Sequence, residues 1–467
     1  MAERKSKQYK LNELSIEIQP EIDPKEKIDA KARQKGERVF DMAAIVASFK
    51  YVESIESPFL RCDITVVDAT DFNKMLRGGE TVSINLVTDS SKDSPLNIKL
   101  RVYKIGSVIK RERAQMFVLH CVSPEAYNNE LNKVFNAFGP GEGSKNVDNI
   151  PRHIVKKYLK ADNKKAREKN FEAHSKLSFI SPNWRPTDCI AYIGDKVTRQ
   201  NGKGNVSTAQ SGYMFFENKD GFQFRSIDGM CEGALMEDRD KFKYTYTQQG
   251  VEGTSGFYNI ETVQFPDKAN HIEKMRYGAY KSLAIGISIP KPTDSSMTQT
   301  GATSDKKSSP AGTISGPREM KFGDLFKRAS TLEKEPPYKV GKMMEASPTR
   351  NKIRIVPAFK NQAGLGDANN GTTTHIDTLN VAEYAAARYN LLKAIKLEVE
   401  VPGNTGLGAG HIIQVAIPAA KQEGKTVKED LIYSGHYLIA SLQHIYRKEG
   451  ITTKMTLLRD SIKKQNY

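Results

Sequence analysis

The feature that most constrains the fold is a strict alternation of apolar and polar side chains between positions 57 and 122. In "ETVSINLVTD", Val82, Ile84 and Leu86 alternate with polar residues, and positions 96–102 repeat the pattern. Successive side chains of a strand point to opposite faces, so each segment has one apolar and one polar face. Turn-rich pieces such as "RGGE" and "SSKDS" separate the segments. The pattern predicts an antiparallel sheet with one buried and one wet face.

A helix is predicted directly after this sheet. Ser123 suits an N-cap, and Pro124 suits the first helical position, where its missing N–H costs nothing. The apolar residues that follow fall on one helical stripe, ending before "GPGEG": Tyr127, Leu131, Val134 and Phe138. The first unit is therefore predicted to be strand-rich, with a helix packed on it.

The region 150–250 has a different pattern. "IPRHIVKKYL" and "NWRPTDCIAYIGDKVTRQ" both have helical spacing of apolar residues. "GYMFFEN" and "FQFRSID" flank a "KDG" turn and predict a hairpin. The single tryptophan, Trp184, is interpreted as a packing anchor. A separate middle domain of helices and a hairpin follows from these patterns.

The C-terminal third returns to strands. Residues 291–317 are rich in Ser, Thr, Gly and Pro, which predicts a long flexible insertion. Asn380 and Glu383 have capping-box spacing before the helix "VAEYAAARYNLL". "IKLEVEVP", "HIIQVAIP" and the segment 433–461 then alternate as strands, the last as a long hairpin.

Two histidines in that hairpin raise the question of a metal or catalytic site. His436 and His444 are predicted to share one strand face with Leu438, Ala440 and Leu442. At about 3.4 Å per residue they lie roughly 27 Å apart along a strand, too far to bind one ion. The stretch is interpreted as a hairpin and not as a site.

Composition limits the class of protein. The 467 residues suggest about three domains. No apolar run reaches the roughly 18 residues of a membrane span, and the charged N-terminal stretch does not predict a signal peptide. The four cysteines have no metal-site spacing and are expected to be buried free thiols: Cys62, Cys121, Cys189 and Cys231.

The net charge of +16 allows polyanion binding, an acidic partner or simple solubility. The densest basic stretch is "SKNVDNIPRHIVKKYLKADNKKAREKN". It contains no zinc-finger spacing and no RNA-binding aromatic signature, so a solvated face is favoured. A basic nucleic-acid-binding protein stays open as the alternative.

The sequence contains only weak matches to motifs of catalytic or ligand-binding sites. "PGNTGLGAGH" connects two predicted strands, whereas a phosphate-binding loop opens a helix. Carboxylate pairs such as Asp63 with Asp68 and Glu398 with Glu400 occur, but nothing in the sequence marks a cleft around them. Glu398 and Glu400 fit the wet face of a strand, and His411 is interpreted as a lone loop histidine. No catalytic, cofactor-binding or metal-binding residue is predicted, and the chain is not expected to be an enzyme.

The order of these motifs resembles one family. "NVAEYAAARYNLLKAIKLEVEVPGNTGLGAGHIIQVAIP" followed by "YLIASLQHIYRKEGITTKMTLLRD" is the strongest match. "HCVSPEAYNNELNKVFNAF" and "SPNWRPTDCIAYIGDKVTR" precede it in the expected order. Together they resemble the central baseplate hub protein of contractile-tailed phages of the T-even type. The corresponding N-terminal part of the type VI secretion spike protein is similar.

The resemblance implies an α+β fold with two tail-tube-like antiparallel β-barrel domains flanking a helix-and-hairpin middle domain. The implied boundaries are 1–140 with an N-terminal extension, 141–255, and 256–467 with the insertion at 291–317. The implied function is a homotrimeric pseudo-sixfold ring that adapts a three-fold spike to the six-fold tail tube. Besides nucleic-acid binding, a tail-associated hydrolase is the weaker alternative.

The implied partners are further copies of the chain, a trimeric central spike protein, tube-initiator or tube proteins and other baseplate proteins. Genomic DNA would be only a transient cargo through the channel, and no cofactor is implied. The implied location is the virion tail baseplate, after assembly in the cytoplasm of a bacterial host.

Overall fold

The computed structural model describes residues 9–18, 38–91, 94–110, 112–139, 149–175, 177, 179–199, 210–236, 238–246, 256–266, 271–287, 314–340, 352–357, 378–419 and 429–464. Across these ranges the chain is strand-rich α+β, with a large antiparallel sheet and mostly short helices. No helix among them has the length and apolar character needed to cross a membrane. All four cysteines are buried free thiols, as predicted.

The alternating N-terminal segments form strands as predicted. Val82, Ile84 and Leu86 are fully buried, while their polar neighbours face outward. Part of the predicted N-terminal extension also belongs to the sheet, because residues 9–18 pair with β5. The strands are β1 (Tyr9–Ile18), β2 (Arg38–Asp41), β3 (Val46–Ser54), β4 (Arg61–Asp68), β5 (Thr81–Thr88), β6 (Leu96–Lys110) and β7 (Gln115–Val122).

The helix predicted after this sheet is shorter than expected. Helix α1 (Pro124–Leu131) ends where Asn132 turns extended, and β8 (Val134–Phe138) follows as a strand. It pairs with β9 (Phe179–Trp184). Positions four apart share a face in a helix and in a strand, so the apolar spacing fitted both structures. The prediction of one continuous helix to position 138 was wrong.

The middle region confirms its predicted helices and hairpin. Apolar side chains from the first two helices and the hairpin form one buried cluster, against which Trp184 packs with its ring 5.0 Å from that of Tyr192. Trp184 is thus a packing residue. The apolar side chains of the short last helix belong to a second cluster. The elements are α2 (Ile150–Lys157), α3 (Pro186–Gly194), β10 (Tyr213–Asn218), β11 (Gly221–Ser226) and α4 (Ile227–Cys231).

The C-terminal third contains the predicted helix, strands and long hairpin. Its helix α7 begins two residues before the predicted cap at Asn380. The predicted insertion at 291–317 lies outside the described residues except for 314–317, which begin β15. The elements are β12 (Lys243–Thr245), β13 (Thr262–Gln264), α5 (His271–Arg276), β14 (Lys281–Ile287), β15 (Ile314–Lys321), α6 (Phe322–Arg328), β16 (Lys352–Pro357), α7 (Thr378–Leu392), β17 (Ile395–Pro402), β18 (Ile412–Ala416), β19 (Gly435–Arg447) and β20 (Gly450–Arg459).

Strands from both ends of the chain join one 13-stranded sheet. Its order is β13-β17-β20-β19-β3-β4-β7-β6-β5-β1-β2, with β18 and β12 continuing from β19. Strand β19 is the joint, because it pairs with β18 and β20 of its own region and with β3 of the first.

The N-terminal half of this sheet curls around a core. The rings of Tyr9 on β1 and Tyr446 on β19 lie 5.1 Å apart, although five strands separate them in the sheet order. Among the described strands, the sheet path is open and ends at β13 and β2.

Candidate functional site

The two hairpin histidines do not share a face. The pairing of β19 with β20 shifts register between Ile439 and Ser441, which places a β-bulge at Ala440. A bulge adds one residue and reverses which side chains face the core. The prediction that His436 and His444 share one strand face was therefore wrong. The alternation of the sequence contains no signature of this bulge.

His436 lies beside two carboxylates. Its Nδ1 is 2.9 Å from Glu333 and its Nε2 is 2.8 Å from Asp240. The hydrogen bond with Glu333 raises the pKa of His436 above its usual value. No group of three or more His, Cys, Asp or Glu side chains in the described part of the chain is placed to hold a metal ion.

His444 is fully buried at the joint of the sheet. Its ring stacks on Tyr51 with centroids 6.0 Å apart, and its Nδ1 is 2.9 Å from the Thr453 hydroxyl. Burial lowers its pKa from 6.5 to about 3. The neutral ring is thus a packing and hydrogen-bonding element between the two halves of the sheet.

The glycine-bearing loop at 403–410 connects β17 to β18 and opens no helix, as the sequence indicated. Every residue of the loop is buried. Thr405 bonds Thr88 of β5 at 3.1 Å, and Ala409 donates its N–H to Glu53 of β3 at 2.7 Å. The loop packs against the first region of the chain and hydrogen-bonds to it.

Glu53 joins three segments at one carboxylate. It accepts hydrogen bonds from the Tyr51 hydroxyl at 2.7 Å, the Lys219 N–H at 2.8 Å and the Ala409 N–H. Burial raises its pKa from 4.5 to about 7. The hairpin turn of the middle region is thereby fixed between β3 and the glycine-bearing loop.

The same turn contacts His411, which the sequence suggested to be a lone loop residue. His411 is almost fully buried, and its Nε2 is 3.5 Å from the Asp220 carboxylate. Burial lowers the pKa of His411. It is a second contact between the middle hairpin and the C-terminal region.

A charged cluster anchors the other side of this hairpin. Lys165 lies 2.8 Å from both Glu217 and Glu125. Burial alone would lower the pKa of Lys165, but the two carboxylates outweigh it and raise the pKa. Ser123, the predicted N-cap, donates its hydroxyl to Glu217 and makes no side-chain cap.

A second buried cluster holds helix α7 in place. Arg388 lies 3.1 Å from Asp228 and 2.9 Å from Asp460, and all three side chains are fully buried. Tyr384 donates its hydroxyl to Asp228 at 2.9 Å. One guanidinium therefore ties α7 to α4 and to the end of β20.

The outer face of the large sheet is continuous across the β3–β19 joint and carries both polar and apolar side chains. Successive strands present register-matched residues on this face: Thr262, Glu400, Lys454, Gln443, Val52, Arg61 and Val122. A groove of about 670 Å³ lies on the same side, between α5, α7 and the sheet.

The acidic residues noted in the sequence each have a partner of their own. Glu398 lies 2.8 Å from Lys396, and Glu400 lies 3.2 Å from Lys454 on the outer face. Asp63 lies 2.7 Å from His120.

Asp68 is instead buried at the end of β4. It accepts the N–H groups of Thr70 and Asn73, and these bonds outweigh burial and lower its pKa. Asp63 and Asp68 do not form a joint site, because Asp63 faces outward and Asp68 accepts hydrogen bonds within a turn.

Sequence reasoning missed the buried charged residues that hold the first, middle and C-terminal regions of the chain together. A signal existed for Arg388, which is the single cation in the mostly apolar helix stretch "VAEYAAARYNLL". Glu53 gave a weaker signal, because it is an acidic residue at a core-facing position of β3. Their long-range partners could not be identified, because Asp228 lies 160 positions from Arg388 and Lys219 lies 166 positions from Glu53.

Comparison with known proteins yields structural matches only. No protein-family model and no curated protein matches the sequence. The 43 kDa tail protein of prophage MuSo2 from Shewanella oneidensis is 9% identical with a TM-score of 0.46, covering 91% of this chain and 97% of that one. The tail protein from Neisseria meningitidis MC58 is 10% identical with a TM-score of 0.46, covering 91% and 94%.

A component of the Escherichia coli type VI secretion system, described as similar to two T4 bacteriophage tail proteins, is 8% identical with a TM-score of 0.39. That match covers 89% of this chain and 73% of the other. The first two structures are described as tail proteins and the third as a type VI secretion component, and all three TM-scores are below 0.5.

Proposed function

We propose that this chain is the structural hub of a phage tail baseplate. Three copies form a ring in which each contributes two tube-like domains, giving six around a channel. The ring adapts a three-fold central spike to the six-fold tail tube. The observation that carries the proposal is the single sheet that joins strands from both outer regions through the β3–β19 pair.

The charged side chains on the outer face support a channel role. This face spans both regions, while apolar side chains of the same strands lie in the cores. Acidic and basic side chains neutralise one another across it, as in the pairs of Glu398 with Lys396 and Glu400 with Lys454. A hydrated channel wall without a strong net charge of either sign would let DNA pass as cargo without binding it tightly.

The buried junction supports a load-transmitting role. The middle hairpin is bonded to the first region through Glu53 and to the C-terminal region through Asn218, whose amide donates to Ala409 at 3.0 Å. A hydrogen-bonded, fully buried network favours one arrangement of the three parts. An adaptor between two symmetries needs such a fixed geometry.

The finer features belong to the same proposal. The outer regions, 1–140 and 256–467, are tube-like domains whose barrels close in the assembly, where strands from neighbouring copies remove the open edges. Residues 141–255 form the middle domain. The partners are the trimeric spike, tube-initiator or tube proteins and other baseplate proteins, and the assembled ring resides in the virion tail.

Imaging tests this proposal. Class averages of the negatively stained chain, alone and co-expressed with its spike, are expected to show a three-fold ring with a central hole and six lobes at one end. Particles without a ring in both preparations would contradict the hub. Loss of both spike and tube initiator during co-purification would contradict the adaptor role.

A second candidate, nucleic-acid binding, has one observation in its favour. The last turn of α2 and the segment that follows it expose six cations against the two carboxylates of Asp162 and Glu168: Lys156, Lys157, Lys160, Lys164, Arg167 and Lys169. Salt-dependent DNA binding by the full chain that is lost in a Lys156→Glu/Lys160→Glu variant would support it. DNA binding unchanged by these substitutions would exclude this surface.

A further inference from the structure

His436 holds two segments of the chain against the start of β19. Its Nδ1 lies 2.9 Å from a carboxylate oxygen of Glu333, and its Nε2 lies 2.8 Å from a carboxylate oxygen of Asp240. Glu333 belongs to the segment after α6, whereas Asp240 belongs to residues 238–242, which lead from α4 into β12. Residues 238–242 are called the crossing segment, and the three side chains are called the clasp.

The geometry of the clasp requires a doubly protonated ring. A neutral imidazole has one N–H donor and one acceptor nitrogen, and an ionised carboxylate only accepts hydrogen bonds. Both ring nitrogens face carboxylate oxygens, so both contacts are hydrogen bonds only when each nitrogen carries a proton. The geometry therefore corresponds to an imidazolium between two carboxylates. In agreement, the hydrogen bonds with Glu333 and Asp240 outweigh burial and raise the pKa of His436.

Two further cations lie near the clasp and act on different members of it. Arg239, in the crossing segment, repels the positive charge on His436. Arg459, buried on β20, attracts the carboxylate of Glu333. The neighbouring strand β18 presents the uncharged Gln414 opposite His436. Glu333 therefore keeps a cationic neighbour when the ring of His436 is neutral.

The two carboxylates differ in what remains to them after the ring loses one proton. The Glu333 side chain is 13% exposed, and it also accepts the backbone N–H of His436 at 3.0 Å. The Asp240 side chain is 69% exposed, so water can solvate it at little cost. The remaining proton is therefore expected on Nδ1, facing Glu333. Nε2 then becomes an acceptor that faces Asp240, and the contact to the crossing segment is the one that breaks.

Loss of this contact frees only the middle of the crossing segment. Arg239 still donates to the Leu332 carbonyl at 3.0 Å, and the Phe242 carbonyl still accepts the Gln414 N–H at 2.9 Å. Strand β12, directly after the crossing segment, keeps its pairing with β18. The change is therefore a local opening between two remaining attachments, and the large sheet stays intact.

We propose that the clasp is a proton-operated latch on the crossing segment, closed while the His436 ring carries two protons and open at Asp240 when it carries one. The latch adjusts how tightly the link between the middle and C-terminal regions is held. The contact is complete below the usual histidine pKa of 6.5 and is lost as the pH rises through the higher pKa of the folded state. It is a property of the single chain and does not rest on the proposed ring.

Hydrogen exchange of the full chain tests the latch in the crossing segment. At about pH 6, His436→Gln is expected to speed exchange of the crossing-segment amides about two- to fivefold, whereas at about pH 9 the variant and the wild type exchange alike. The crossing segment has the same sequence in both proteins, so its intrinsic exchange rates cancel at each pH. The matched control is His120→Gln, since His120 also lies 2.7 Å from a carboxylate, that of Asp63, but outside the clasp. Equal exchange in the wild type and His436→Gln at about pH 6 would overturn the latch.

Nuclear magnetic resonance of the ring nitrogens gives a second measurement that does not replace His436. In the full chain with isotope-labelled histidine, both ring nitrogens are expected to be protonated at about pH 6, and only Nδ1 at about pH 9. Asp240→Asn, which changes an exposed carboxylate, should lower the midpoint of this titration by a few tenths of a pH unit and so identifies its signal. A neutral ring with its proton on Nε2, or histidine midpoints that Asp240→Asn leaves unchanged, would contradict the latch.

Discussion

At the scale of single residues, the junction is held by ionisable groups that water cannot reach. The three donors to Glu53 come from the first, middle and last regions, so one carboxylate fixes their relative positions. Buried polar groups are costly when unpaired and direct the fold to one arrangement when paired. We therefore expect substitutions of these few residues to have a large effect on the free energy of unfolding.

His444 is predicted to make the fold acid-sensitive. Its pKa is about 3 in the fold and 6.5 as the reference value, so the unfolded chain binds the proton more readily. Its contribution is fully present above pH 6.5 and falls by about 1.4 kcal/mol per pH unit below it, or about 2 kcal/mol by pH 5. Urea unfolding at pH 7 and pH 5 should show a smaller loss for His444→Phe, which keeps a ring against Tyr51. Equal losses in both proteins would contradict the assignment.

Arg388 is predicted to be a major stabilising residue. Replacing it with alanine leaves Asp228 and Asp460 buried without their cation, which should lower the free energy of unfolding by about 3–5 kcal/mol. The matched control is Arg185→Ala, because Arg185 also contacts two carboxylates but on the surface. Exposed ion pairs contribute little, so the control should unfold almost as the wild type. Similar losses in the two variants would show that burial is not the cause.

At the scale of elements, the glycine-bearing loop can be tested by a pair of substitutions. Gly410 has a φ of +83°, and a Cβ there would lie 2.6 Å from Leu235 Cδ1 and 2.9 Å from Phe216 Cζ. Gly410→Ala should lower the free energy of unfolding by about 2–5 kcal/mol through backbone strain and overpacking. Gly79 has a φ of +94° with open space around it, so Gly79→Ala isolates the strain at about 1–2 kcal/mol. Thermal unfolding of both proteins measures the difference.

The elements also mark how far the sequence could be interpreted. Alternation correctly predicted β5, β17 and the final hairpin, because a strand with one buried face must alternate. It could not distinguish a helix from a strand at 134–138, where the apolar residues are four apart. The bulge at Ala440 and the pairing of β19 with β3 depend on partners distant in the chain, and no local pattern encodes them. The same holds for the site, where the charged residues were visible but their partners were not.

At the scale of the whole molecule, the net charge and the open strand edges suggest two separable kinds of contact. The charge of +16 is available to acidic faces of the spike or tube proteins, whereas the proposed joining of strand edges between copies uses backbone hydrogen bonds and apolar packing. Salt screens exposed charges within about 10 Å at 0.1 M and leaves apolar contacts intact. We therefore expect the two kinds of contact to respond differently to salt.

Raising salt is predicted to release partners before it releases the ring. With the spike co-purified, an increase from low to about 0.5 M salt should weaken spike binding, since that contact uses screened charges. The trimer of this chain should persist in the same samples, because strand pairing and apolar packing between copies do not depend on exposed charges. Sedimentation velocity at each salt concentration resolves the ring from the complex. If the ring dissociated while spike binding was unchanged, the charges would act between copies of this chain and not at the spike. A complex that salt does not affect would show that the basic surface binds no partner in this assembly.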